Sequence, residues 1–233
     1  MMEIREATQD DNTPLLELQK KCPMGVDFVV AVDSSPDYFA RSKPYQDWHV
    51  FVAVENQHII GSIACAMENV LIQGKLFKAA YLYGMMVDPA KRRSGIASQL
   101  QQHIENYASK QKVDLCHLLV MEENTPSIKL CQRMGFQHVK DCPRFSLMVY
   151  KPEKLEDEAN IKPMAPADVK DVVAMTNETY RDYDFYSPYT EESFQNYVQS
   201  LPKDDQENIL VLKKGENIQA CLGYWDYNKV IRE

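Results

Sequence analysis

Apolar positions change period along the chain, and those changes mark its elements. Asp10-Asp11-Asn12-Thr13-Pro14 suits a helix start, and Leu15, Leu16 and Leu18 supply the apolar face that follows. A second short helix is predicted at 36–40, where Ser35-Pro36 leads into Tyr38 and Phe39. Between them, residues 23–33 form an apolar-rich connection with Val26, Phe28, Val29 and Val30, long enough to shape a binding site or to pack a core. Residues 49–54 and 59–66 are rich in β-branched side chains and are separated by a polar turn, which predicts a hairpin. A third strand is predicted at 79–87, stopped by Asp88-Pro89, with alternation placing Tyr81, Tyr83 and Met85 on one face. Helical spacing of Ile96, Leu100, Ile104 and Tyr107 follows a short basic loop. A strand at 115–121 comes next, then a helical stripe of Ser127, Leu130, Cys131 and Met134 ending at Gly135, then strands at 136–139 and 145–150. The class is α/β in the mixed, α+β sense.

The opening pattern returns at an offset of 157. Ile4 to Leu18 aligns with Ile161 to Met175, and a second hairpin is predicted at 209–212 and 218–224 across a turn containing Gly215. Three segments are expected: 1–151, a charged linker at 152–160, and 161–233 as a partial second copy that stops after its first hairpin. Where a full copy would enter its central strands the sequence ends, so a longer natural chain or a covered strand edge is expected, and a homodimer is one such cover.

Charge sharpens the division. The chain of 233 residues has a net charge of −8; residues 1–154 carry 18 basic and 18 acidic side chains, and residues 155–233 carry 8 and 16. A neutral or acidic surface argues against nucleic-acid binding. No stretch approaches the roughly 18 apolar residues of a membrane span, and the first residues lack a secretory signal, so no membrane partner and a cytoplasmic location are expected. Six scattered cysteines without a C-x-x-C pair fit reduced thiols, and no metal site is expected.

Chemistry concentrates at Val87-Asp88-Pro89-Ala90-Lys91-Arg92-Arg93-Ser94-Gly95-Ile96-Ala97. A strand ends, a basic loop with one glycine follows, and an amphipathic helix begins. Free backbone N–H groups with a helix dipole behind them make an anion site, and Gly95 lets the backbone approach a phosphate. Arg92-Arg93-Ser94-Gly95-Ile96-Ala97 resembles the cofactor signature of the GNAT superfamily of acetyl-CoA-dependent N-acetyltransferases, an Arg or Gln followed at fixed spacing by Gly and Gly or Ala. Asn124 to Phe136 is similar to that family's second signature, an Asn after a strand and a helix ending in Gly-Phe. The resemblance covers residues 3–150, and residues 160–233 resemble only the family's opening helix and hairpin.

The resemblance implies a mixed, mostly antiparallel sheet flanked by helices, and transfer of an acetyl group from acetyl-CoA to a primary amine of a small molecule or peptide. It places the pantetheine and acyl carbonyl on the backbone of Met85, Met86 and Val87, and the diphosphate on the N–H groups of Arg92, Arg93, Ser94, Gly95, Ile96 and Ala97. Asn124 and Ser127 are implied on the pantetheine side. Many members have Tyr where this chain has Cys131, which fits either a proton donor to the leaving thiolate or a small apolar residue. Glu68, Tyr81 and Tyr83 are candidate bases by location, each equally explicable as a rim charge or core aromatic; His117, between apolar residues, reads as a core histidine. The second half has no counterpart of residues 92–97, so no cofactor is expected there. Its stretch 180–189 is dense in aromatics and acids, suited either to a cationic amine or to docking against the first half. A cofactor-binding sensor without turnover, or a structural partner subunit, are the alternative functions.

Overall fold

A computed structural model describes residues 2–24, 29, 31–143, 160–201 and 208–224. Five strands form one sheet in the order β1-β2-β3-β4-β5: β1 (Met2–Glu6), β2 (Asp47–Glu55), β3 (His58–Ile72), β4 (Lys75–Val87) and β5 (Leu115–Leu118). All pairings are antiparallel except β4 with β5, which is parallel. Val50 and Val52 face α1 (Asn12–Lys20), joining Leu15, Leu16 and Phe39; Phe51 and Ala53 face α2 (Ile96–Lys110), joining Leu100 and Ile104. Both faces are covered, so β2 reads as a continuous apolar run rather than an alternating one. Gly61 permits the close approach of α2, since a Cβ there would meet Leu100 Cδ1 at 3.0 Å and Ile96 Cγ2 at 3.1 Å.

The start of α1 is fixed by one carboxylate. Asp11 accepts the backbone N–H of Thr8 (2.7 Å) and both Arg5 guanidinium nitrogens (2.7 and 2.8 Å). These contacts hold its carboxyl down at about 2, the Arg5 hydrogen bonds contributing most.

The second group comprises β6 (Ile161–Pro163), α4 (Val169–Tyr180), α5 (Glu191–Ser200), β7 (Ile209–Lys214) and β8 (Asn217–Gly223), with an antiparallel sheet in the order β6-β7-β8. Its core is Val169, Val172, Val173, Phe194, Ile209 and Val211. Asp168 stands where Asp11 does in the first group: it accepts the N–H of Ala165 (2.9 Å) and pairs with Lys213 (2.5 Å).

Several elements differ from expectation. The hairpin β3–β4 extends well past residues 66 and 79, turning at Gln73-Gly74, both with positive φ (50° and 71°). The helix expected at 36–40 is a single 3-10 turn, Tyr38–Arg41. Strand β5 stops at Leu118, opposite Leu82, and Leu119 is 67% exposed, although β4 itself continues to Val87. The strand expected at 136–139 does not form among the described residues: Phe136 folds back to donate to Cys131 O (3.0 Å), and Val139 is 75% exposed. Met85 does not share the face of Tyr81 and Tyr83. A bulge opposite Ile63, with Gly84 at φ 64°, shifts the β3–β4 register and turns Met85 toward the α2 side while Met86 joins Tyr81 and Tyr83. The strand expected at 145–150, the linker before Asn160, and Val26, Phe28 and Val30 lie outside the described residues.

Candidate functional site

β4 makes the site possible by losing its partner. β5 pairs only with Ala79–Leu82, so among the described residues the edge of β4 from Tyr83 to Val87 has no strand partner on that side. Val87 O is the focus of two side chains, Cys22 Sγ at 3.4 Å and Arg92 Nε at 3.3 Å. Burial pushes the Cys22 thiol up, against the nearby Arg92 charge.

The loop after β4 is built to present N–H groups. Asp88 accepts the N–H of Ala90 (2.9 Å) and starts a 3-10 turn, Pro89–Lys91. Ser94 Oγ donates to Lys91 O. Arg93 (φ 66°) and Gly95 (φ 86°) both take left-handed backbone, a sequence of conformations that turns successive N–H groups inward. Gly95 is the N-cap of α2, which no side chain caps, and the first intrahelical bond runs from Gln99 N to Gly95 O (3.0 Å). The N–H groups of Ile96, Ala97 and Ser98 therefore take no protein acceptor among the described residues. Lys91 is tied to Glu55, whereas Arg93 has no ion-pair partner among the described residues. Bare donors, a helix dipole and free positive charge define an anion cradle beside an open strand edge.

Asn124 caps α3 (Thr125–Arg133) through its Oδ1, which accepts Ser127 N at 3.3 Å, leaving the amide nitrogen available for another acceptor. Cys131 lies on the same helix, half-buried, with burial pushing its thiol up.

The residues singled out as possible bases occupy the α1 side of the sheet. Glu68, Ala79 and Leu115 share one register row, and Ala66, Tyr81 and His117 the next. Across the small Ala79, Glu68 Oε1 reaches His117 Nε2 at 2.9 Å. The other Glu68 oxygen accepts Ser187 Oγ at 2.9 Å. The His117 ring stacks on Tyr81 (5.2 Å between centroids), and its centroid also lies 5.2 Å from that of Phe185. Tyr81 in turn stacks on Tyr83 at 5.3 Å. Tyr83 is buried and donates to Ser42 Oγ (2.8 Å), and burial drives its phenol well above its ordinary range.

The structure thus joins Glu68 and Tyr81 through His117 and separates Cys131 onto α3. Sequence reasoning missed the Glu68–His117 pair and the Cys22–Val87 contact; neither has a local sequence signal, since each partner lies on a distant element. The aromatic stretch 180–189 docks on the first group: Phe185 N donates to Leu71 O (2.7 Å), Leu71 N to Tyr186 O (2.8 Å), and Gln73 N to Asp184 Oδ1 (2.7 Å).

A mixed five-stranded sheet whose β4 outruns its pairing with β5 is thus followed by a helix whose start no side chain caps. The sequence model of the acetyltransferase (GNAT) family matches residues 12–136, and the chain belongs to that family. An uncharacterized N-acetyltransferase of Methanocaldococcus jannaschii is 28% identical over 145 residues, covering 58% of this chain and 60% of the relative. The matched region thus spans only 60% of that curated relative's length. Among solved structures, a transcriptional regulator from Bacillus halodurans C-125 superposes with a TM-score of 0.51 at 18% identity, over 63% of this chain and all of the other. The aminoglycoside N-acetyltransferase AAC(6')-Iy, solved with a bisubstrate analogue joining CoA and an acetylated neamine derivative, gives a TM-score of 0.50 at 18% identity, over 64% of this chain and 99% of the other. At that identity these two likenesses establish the fold.

Proposed function

We propose that the chain moves an acetyl group from acetyl-CoA to a primary amine of a small molecule or peptide. The uncapped start of α2 behind the left-handed Arg93 and Gly95 carries this reading, because it fits a diphosphate. Residues 92–97 hold the diphosphate, the open edge at Met85, Met86 and Val87 takes the pantetheine and acyl carbonyl, and Asn124 and Ser127 line the pantetheine side. When bound, acetyl-CoA supplies the thioester.

The attacking amine must be neutral, so it needs a proton acceptor. Both oxygens of Glu68 are engaged, one by His117 and one by Ser187. We assign Glu68 to orient the imidazole, and the Nδ1 of His117, without a hydrogen-bond partner among the described residues, to take the proton, directly or through water. Tyr83 anchors the strand through Ser42 rather than titrating. Cys131, kept as a thiol by burial, is the candidate donor to the leaving thiolate; solvent is the alternative.

The segment 161–233 is read as a partial second copy without a cradle. The repeated strand–helix–hairpin order and the matching Asp11 and Asp168 support it. With the linker at 152–160, the first copy comprises 1–151. The outer edge of β8, unpaired among the described residues, favours a homodimer, which sedimentation would show. No helix of the described residues is long and apolar enough to cross a membrane, and a cytoplasmic location is proposed.

Incubation with isotopically labelled acetyl-CoA and a mixed amine panel tests the activity: label appears in an amide product. Binding without transfer to any amine supports instead the sensor reading, which the full engagement of Glu68 favours.

A further inference from the structure

The two groups of elements enclose an open cleft of about 480 Å³ on the α1 side of the sheet. Lys43, Tyr45 and Gln46 of the loop before β2 form one wall; Thr190, Glu192 and Asn196, at and after the start of α5, form the other. The cleft adjoins the proposed chemistry. The Tyr45 ring lies 5.7 Å from that of Tyr83 and 6.2 Å from that of Tyr81. Tyr83 precedes Met85 by two residues on β4, about 7 Å of strand.

Charge in the cleft is unbalanced in a particular way. Lys43 is neutralised by Asp37, and the guanidinium of Arg41 lies over the Tyr83 ring at 5.0 Å. Glu192 has no ion-pair partner among the described residues. Thr190 already caps α5 by accepting Ser193 N (3.0 Å), so it holds the helix start in place rather than offering an acceptor. The position of α5 relative to the sheet is held by the docked stretch: the two main-chain bonds between Leu71 and Phe185-Tyr186, the Asp184 contact to Gln73, and Ser187 on Glu68. Phe185 adopts left-handed backbone (φ 64°) to make its bond, so the docking is held against a local cost.

We infer that this cleft is the outer part of the acceptor site, built by both groups of elements, and that it takes a second cationic group of an amine acceptor. An amine at the thioester must be uncharged, so a carboxylate in the cleft has no use for the reacting nitrogen. It suits another ammonium on the same molecule, held between Glu192 and the Tyr45 face, with Gln46 and Asn196 offering hydrogen bonds. Acceptors are then small, elongated molecules with at least two amines. The inference rests on the acetyltransferase reading, deepening it by substrate class.

Spermidine serves as the polycationic probe and pentylamine as the single-charge control, each titrated into isotope-labelled protein while backbone amide signals are followed. Spermidine is expected to shift the signals of Tyr45, Gln46, Glu192 and Asn196, with an affinity at least tenfold above that of pentylamine. Glu192→Gln removes that preference, and Glu192→Asp restores part of it. No spermidine shifts in the cleft, or a preference unchanged in Glu192→Gln, overturns the inference. Acetyl-CoA titration of the same samples keeps the two readings apart. Binding of acetyl-CoA without cleft shifts sinks the acceptor inference alone, whereas absence of acetyl-CoA binding sinks the enzyme reading whatever the amines do.

Discussion

His117 on β5 and Glu68 on β3 meet at 2.9 Å across β4, over the alanine at position 79. Three strands must hold their registers for that contact to exist, and a residue of the second group, Ser187, completes it from the other side. If this pair handles the amine proton, His117→Gln lowers kcat by about 10²-fold or more, with acetyl-CoA affinity unchanged. Glu68→Gln gives a smaller loss, since it disturbs the orientation of the imidazole rather than the group itself. Single-turnover kinetics beside calorimetry separate the outcomes: loss of acetyl-CoA binding in His117→Gln would assign the residue a structural role.

Gly61 predicts a packing effect. A methyl group at that position meets the tips of Leu100 and Ile96 and the Met86 carbonyl (3.1 Å), at the contact where α2 lies on the sheet. Gly61→Ala is expected to destabilise the protein by about 1–3 kcal/mol, the usual cost of overpacking a tight core. Urea unfolding measures it, and an unchanged midpoint contradicts the packing described.

Phe185 allows backbone and side chain to be told apart. Its left-handed conformation costs a non-glycine residue about 1 kcal/mol. Phe185→Gly and Phe185→Ala both lose the ring against His117, but the glycine variant is expected to be the more stable by about that amount. Equal thermal midpoints for the two variants would show that the left-handed turn is not retained.

Stability should depend on acid through Asp11. Its carboxyl is held at about 2, chiefly by Arg5, below its ordinary value near 4. A depressed folded-state pKa gives stability that is fully present above the unfolded value and lost as pH falls through the folded one. The contribution is about 2 kcal/mol at neutral pH, disappearing between roughly pH 5 and pH 2. Asp11→Asn loses it at pH 7 and shows a flatter acid limb in denaturation measurements; an acid limb as steep as that of the parent contradicts the assignment.

What the sequence revealed depended on how local the cause was. The strand–loop–helix junction was legible because strand end, basic loop, glycine and helix lie within a dozen consecutive residues, and the structure sets Gly95 at the N-cap of α2. The outer half of the β3–β4 hairpin was not, because Glu68, Asn69 and Gln73 break the apolar pattern that marks a strand. Alternation failed at Met85 because the bulge at Gly84 inserts a residue that no pattern of polar and apolar positions records. His117 looked apolar by its neighbours in sequence; its partner is 49 positions away and is brought to it by strand register.

The central claim is that the loop from Arg92 to Ala97 binds the diphosphate of acetyl-CoA, and calorimetric titration of the parent chain and Gly95→Asp tests it most directly. Aspartate is among the residues that adopt left-handed backbone at least cost, and the nearest atom to a Cβ at Gly95 is Gln99 Nε2 at 3.9 Å, so the variant should fold while placing a carboxylate where the phosphates belong. Micromolar binding by the parent, absent in a variant that stays folded with a melting temperature only slightly lowered by the left-handed position, is the predicted result. Equal binding by both proteins, or none by the parent, would contradict it.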